Sequence, residues 1–256
     1  WSQRFRGDRE LPEKQRNVLK PSFLFLFFLL APVMVYGQKD PGKEEAWIRE
    51  VNDAKKAYES GPFRIELLTV LPGKEIYNAW GHTALRLTSR KDGRSLVFDY
   101  GTFTFDRYFV VRFLSGDPVY YLAVRSYEQT LSYYEKQKRT IYAQEIYLSP
   151  EKAQELAGFL QNNLRPENRA YRYDHYLNNC TTIYRDLLDR LLAGDPGQLW
   201  SRPSGSTFRA DSLSYVHRMP FFHFGIDLII NGRADRPVSY KEAQFLPQTL
   251  MQGLEE

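Results

Sequence analysis

The sequence predicts an α+β fold, an antiparallel sheet with packed helices, and three observations carry that reading. Apolar–polar alternation recurs in short runs between residues 63 and 148, and the earliest of these runs are separated by Pro72-Gly73 and Asp92-Gly93. Stripes of apolar residues at three-to-four spacing mark 44–59, 127–138, 150–163 and 181–193. The elements come as a helix, then mostly strands, then mostly helices, with no internal repeat and no clear linker.

Taken in order, residues 44–59 place Trp47, Ile48, Val51, Ala54 and Tyr58 on one helical face. Phe63 to Leu71 reads as a strand ended by Pro72-Gly73. Trp80 to Thr88 follows, with His82, Ala84, Arg86 and Thr88 on one face and Thr83, Leu85 and Leu87 on the other. The turn at 91–94 leads into Ser95 to Tyr100, and Asp-Gly between two alternating runs is a hairpin signal. A short helix is expected near 107–114, a strand over Val119 to Arg125, a helix over 127–138 and a strand over 139–148. Ser149 can cap a helix that opens on Pro150 and Glu151 and runs to Asn163. A tyrosine-rich loop at 171–176 leads to a helix over 181–193, with Ile183, Leu187, Leu188, Leu191 and Leu192 on its apolar face. The Gly/Pro/Ser-rich stretch 194–207 reads as a loop, and 208–256 as helical pieces. One of these, Phe224 to Ile230, is too short to cross a bilayer.

Composition narrows the function classes. A chain of 256 residues, 43% hydrophobic and 26% charged, makes one large or two small globular domains and is not a disordered polymer. The single cysteine excludes an intramolecular disulfide and any multi-cysteine metal site. Arg16 and Lys20 precede the apolar run 21–36, and Val35-Tyr36-Gly37 resembles a processing site, so 1–37 reads as a secretory signal peptide cleaved after Gly37. The residues ahead of Val18 read as translation upstream of the true start. The domain plan is therefore 1–37 leader, 38–60 N-terminal helix and 61–256 main domain. The leader holds Arg4, Arg6, Arg9, Lys14, Arg16 and Lys20 against Asp8, Glu10 and Glu13, so it carries three units of the net charge of +4. The remaining chain is nearly neutral and has no Arg/Lys stripe interleaved with aromatics, which argues against nucleic acid.

The chemistry-bearing residues are few. Cys180 falls at the first turn of the 181–193 helix, after Asn178-Asn179, where the helix end stabilises a thiolate and its N–H groups can hold an oxyanion. A nucleophilic cysteine needs a base. Of His82, His175, His217 and His223, the strand residue His82 suits that role best. His175 reads as a surface residue, and His217 and His223 as core or interface. Asp99, in an otherwise apolar strand beside that of His82, needs a partner and can orient the imidazole. Asn179, Thr181, Tyr173 and Arg86 are candidates for oxyanion or substrate contacts. No Gly-x-Ser-x-Gly elbow, phosphate-cradling loop or metal-ligand spacing is present, so no cofactor and no metal are expected.

These residues form an ordered set: Gly81-His82-Thr83-Ala84-Leu85-Arg86, Asp99-Tyr100-Gly101-Thr102-Phe103, Tyr171 and Tyr173, Asn179-Cys180-Thr181-Thr182 and Arg185-Asp186, with Phe224-Gly225-Ile226-Asp227 and Phe245-Leu246-Pro247 later. The set resembles the N-terminal periplasmic domain of the Lnb family over roughly 62–256. The resemblance implies lipoprotein N-acylation, in which an acyl chain moves from a phospholipid donor to the N-terminal amine of a lipoprotein at a membrane surface. The order of histidine first and cysteine later is also similar to circularly permuted papain-like enzymes of the NlpC and lecithin:retinol acyltransferase type. This implies Cys180 as nucleophile, His82 as base and Asp99 as orienter. The same residues also suit a periplasmic cysteine hydrolase of peptide, amide or lipid ester bonds. The third alternative is a non-catalytic envelope binding module.

Overall fold

The computed structural model describes residues 63–103, 118–192, 200–230 and 232–255, together with Gln3 and Arg4. Apart from those two residues, the expected leader lies outside the described residues, as do the helices expected over 44–59 and near 107–114. The strands are β1 (Gln3–Arg4), β2 (Phe63–Val70), β3 (His82–Ser89), β4 (Ser95–Phe103), β5 (Val119–Ser126), β6 (Ile141–Glu145), β7 (Ala170–Arg172), β8 (Pro203–Thr207) and β9 (Pro237–Ser239). The α-helices are α1 (Tyr127–Lys136), α2 (Pro150–Asn163), α3 (Cys180–Leu192), α4 (Phe208–Val216), α5 (Pro220–Ile229), α6 (Tyr240–Ala243) and α7 (Pro247–Gly253).

The fold is α+β. One antiparallel sheet runs β1-β6-β2-β3-β4-β5-β7, and β8 and β9 pair separately. The hairpin of β2 and β3 is in full register, from Phe63 opposite Ser89 to Val70 opposite His82. β3 and β4 form the expected second hairpin, with Leu85 opposite Phe98 and Gly93 at φ +73° in the turn. Between β4 and β5 the register slips by one residue, from Asp99 opposite Ala123 to Thr102 opposite Tyr121. That bulge bends β4 just after Asp99.

Period-two patterning sorts the sheet into two faces. On one, Leu67, Leu85, Phe98 and Val124 are buried under Leu156 and Leu160 of α2 and Tyr184, Leu187, Leu188 and Leu191 of α3. Tyr184 also donates its hydroxyl to the Phe98 carbonyl at 2.7 Å, fastening α3 to β4. On the other face, Leu68, Ala84 and Val97 pack against Tyr127 of α1. Local signals fix both helix starts. Ser126 forms a reciprocal capping box with Gln129, and Ser149 caps α2, with Pro150 opening it.

Two expectations are corrected. The strand expected from Trp80 begins only at His82, because Gly81 sits at φ +82° and breaks the extended run. Trp80 instead donates its indole N–H to Ser212 and joins a smaller core around Phe208, Phe245 and Leu246. The region read as loop and helical pieces contains β8 and β9. The Pro-Ser-Gly-Ser-Thr sequence of β8 has turn composition and an irregular pairing, so it gives no strand signal.

Candidate active site

Gly81 places His82. A Cβ on Gly81 would lie 2.7 Å from the Val70 carbonyl oxygen, so only glycine lets β3 start beside the end of β2. Register puts His82, Asp99 and Arg125 on the face covered by α1. The thiol comes from the N-terminus of α3, which packs on the opposite face, and the two sets meet at the start of β3.

His82 Nε2 donates to Asp99 Oδ1 at 2.9 Å. The same oxygen accepts the Gly101 N–H at 2.6 Å, and Asp99 Oδ2 accepts from Arg125 Nη1 at 3.0 Å. With Nε2 committed, Nδ1 is the ring nitrogen left for the thiol. Cys180 Sγ lies 3.9 Å from the Thr181 hydroxyl, and its thiol is coupled electrostatically to the His82 imidazole and the backbone N–H of Thr83. Gly101 closes the imidazole's other side. A Cβ there would lie 2.4 Å from His82 Cε1.

The electrostatics form an ion-pair chain. Burial alone would push the Cys180 thiol up. The His82 charge, its hydrogen bond and the Thr83 N–H reverse this and bring the thiol below its ordinary value. Burial likewise opposes a charged His82, yet Tyr134, Asp99 and Cys180 around it, with the Asp99 hydrogen bond, raise it well above 6.5. Burial of Asp99 is outweighed by His82, Arg125 and the Gly101 N–H, which hold the carboxyl well below the usual carboxylate range. The pairing therefore favours thiolate, imidazolium and carboxylate over their neutral forms.

Asn179 builds the helix end that carries the thiol. Its Oδ1 accepts the N–H groups of Thr181 at 2.7 Å and Thr182 at 2.9 Å. Its Nδ2 donates to the carbonyls of His175 at 2.7 Å and Phe245 at 3.1 Å, tying α3 to the smaller core. Thr181 bonds Thr83 across to β3, hydroxyl to hydroxyl at 2.9 Å. The side chain of Asn179 and the N–H of Thr181 are thus engaged within the protein. The N–H of Cys180 is the helix-end donor that Asn179 does not occupy. Asn179→Ala removes the cap and strands buried groups, so it is expected to cost about 2–4 kcal/mol. The midpoint of denaturant unfolding measures this.

Tyr173 stacks on Tyr120 at 4.3 Å, with Tyr171 behind at 6.2 Å from Tyr120. All three phenols are raised, first by burial; the charge of Cys180 comes next for Tyr120 and Tyr171, and for Tyr173 it follows that of Tyr120. Arg86 is not part of this group. Four residues along β3 it is about 13 Å from His82. It pairs with Glu66 at 3.0 Å, bonds Ser95 and stacks on Tyr127.

Arg125, Tyr120 and Tyr134 were given no role by the sequence, and Gly101 entered only as part of the Asp99-Tyr100-Gly101 run. The one available signal was Arg125, a cation in an apolar strand. His175 is not a surface residue. It is caged by Trp80, Tyr176 and Phe245, bonds Tyr173 Oη through Nδ1 at 3.1 Å, and burial pushes it down to about 4. His217 is exposed rather than core. Among the described residues no group of three or more His, Cys, Asp or Glu could hold a metal ion, and no helix is long and apolar enough to cross a membrane.

The family model of the Lnb N-terminal periplasmic domain matches residues 50–211, more than half of the chain. No curated protein and no solved structure matches.

Proposed function

The chain belongs to the Lnb N-terminal periplasmic domain family, and on that footing we propose that it is a thiol-dependent acyltransferase that moves an acyl chain from a phospholipid to the N-terminal amine of a lipoprotein. The family carries a periplasmic location. The observation that supports the reaction is the Cys180–His82–Asp99 chain, with the thiol drawn down and the imidazole drawn up.

In the first half-reaction the Cys180 thiolate attacks the ester carbonyl, and a carbon–sulfur bond forms. The Cys180 N–H at the helix end faces the developing oxyanion. The ester carbon–oxygen bond breaks, and His82 gives its proton to the departing lysophospholipid oxygen. In the second, the lipoprotein amine attacks the thioester, His82 takes the amine proton, and the thiolate leaves. Asp99, held by Arg125 and Gly101, keeps the ring turned through Nε2. The ring faces of Tyr120 and Tyr173 suit an acyl chain beside the sulfur.

Expression in cells lacking lipoprotein N-acylation tests the reading. The native chain restores N-acylated lipoprotein. Cys180→Ala and Cys180→Ser reduce it by at least about 1,000-fold, the scale of removing a catalytic nucleophile. Full activity in Cys180→Ala contradicts the proposal. Release of free fatty acid without N-acylation points to the hydrolase instead.

A further inference from the structure

Helix α5 turns its apolar side outward. Phe221, Phe224, Leu228 and Ile229 are 83%, 64%, 69% and 62% exposed, and no residue of the helix is buried. On a helical wheel these four and Gly225 form one continuous arc. Phe222 meets Trp80 at 6.0 Å on the protein side, and exposed Asp227 pairs at 2.7 Å with Arg209, which also pairs with Asp235. Asp227, the one acidic residue of α5, lies outside the apolar arc on the helical wheel. Exposed Arg218 precedes the helix and exposed Arg233 follows it. An apolar stripe with a cationic rim complements a surface of acyl chains under anionic headgroups.

We propose that α5 is the docking element that seats this domain on an anionic phospholipid surface. Ten residues span about 15 Å, half of a hydrocarbon core, so the helix lies in the interface plane. Its inner side leads toward the thiol-bearing helix: Phe222 meets Trp80, Trp80 meets His175 at 4.8 Å, and the His175 carbonyl accepts from Asn179, the residue before Cys180. The choice of a lipid surface over another apolar partner rests on the acyl-donor reading above.

The test uses the 256-residue chain as Cys180→Ala, with one new cysteine at Phe224 carrying an environment-sensitive dye, and a matching chain labelled at Glu155 on α2. The probe is a vesicle of phosphatidylcholine and phosphatidylglycerol in equal parts. The dye at 224 is expected to shift to the blue and to be quenched by brominated acyl chains, while the dye at 155 stays in water. Arg218→Glu is expected to weaken the transition about tenfold. Three outcomes overturn the proposal: a dye at 224 that stays in water with vesicles, a blue shift that grows with protein concentration alone (a second copy covers α5), or a dye already shifted in the dilute chain (its own segment covers it). Because the labelled chain lacks the thiol, dye entry without any acyl transfer by the native chain removes the reaction and keeps the docking. The converse keeps the reaction and removes the docking.

Discussion

Replacing His82 with glutamine is expected to switch off alkylation of Cys180 at neutral pH while leaving the fold intact. Glutamine retains an N–H that can reach Asp99 but carries no positive charge. Burial is the largest influence on the thiol and pushes it up. Without the imidazolium nothing outweighs that push, and the thiol rises to or beyond the ordinary value of about 8.5. In the native chain the iodoacetamide rate climbs as pH rises through the lowered thiol value and then levels. The ion pair persists until His82 itself loses its proton, above its ordinary 6.5. In His82→Gln the climb moves into the alkaline range, and at about pH 7 the rate falls at least about tenfold. Superimposable pH profiles contradict the ion pair.

The second large effect comes from one methyl group. In Gly101→Ala the new Cβ lies 2.4 Å from His82 Cε1 and 3.1 Å from Asp99 Oδ1, distances that a folded chain relieves only by moving the ring. A displacement of about 1 Å at a catalytic group costs on the order of 100-fold in rate. The overpacking itself costs about 1–3 kcal/mol, so the protein remains folded. Gly93→Ala is the control. It strains a turn at φ +73° but meets nothing within 4 Å. Turnover is expected to collapse in Gly101→Ala and to hold in Gly93→Ala. Equal turnover in the two variants contradicts the close approach of Gly101 to His82.

What could be read from the sequence was what short-range chemistry fixes. Ser149-Pro150-Glu151 announces α2 because a cap acts over three residues. Asp92-Gly93 announces the β3–β4 hairpin, and the adjacency of those strands was enough to pair His82 with Asp99. Cys180 at a helix start followed from the apolar period of α3. What escaped depends on long-range register. Arg125 reaches Asp99 because β5 pairs with β4 ahead of a bulge, and no local residue pattern specifies that bulge. Asn179 was expected to face substrate. Its partners, the carbonyls of His175 and Phe245, come together only in the folded chain. Helix α5 reads as apolar in either case, and whether its stripe faces inward is a property of packing rather than composition.

The most direct test of the central claim is the mass of the Cys180 peptide after the native chain meets phospholipid vesicles and is quenched in acid. The account predicts a single acyl adduct on Cys180 that neutral hydroxylamine removes, that lipoprotein amine discharges, and that is absent from Cys180→Ala. An unmodified Cys180 peptide during ongoing transfer, or a peptidyl group in place of the acyl chain, contradicts it.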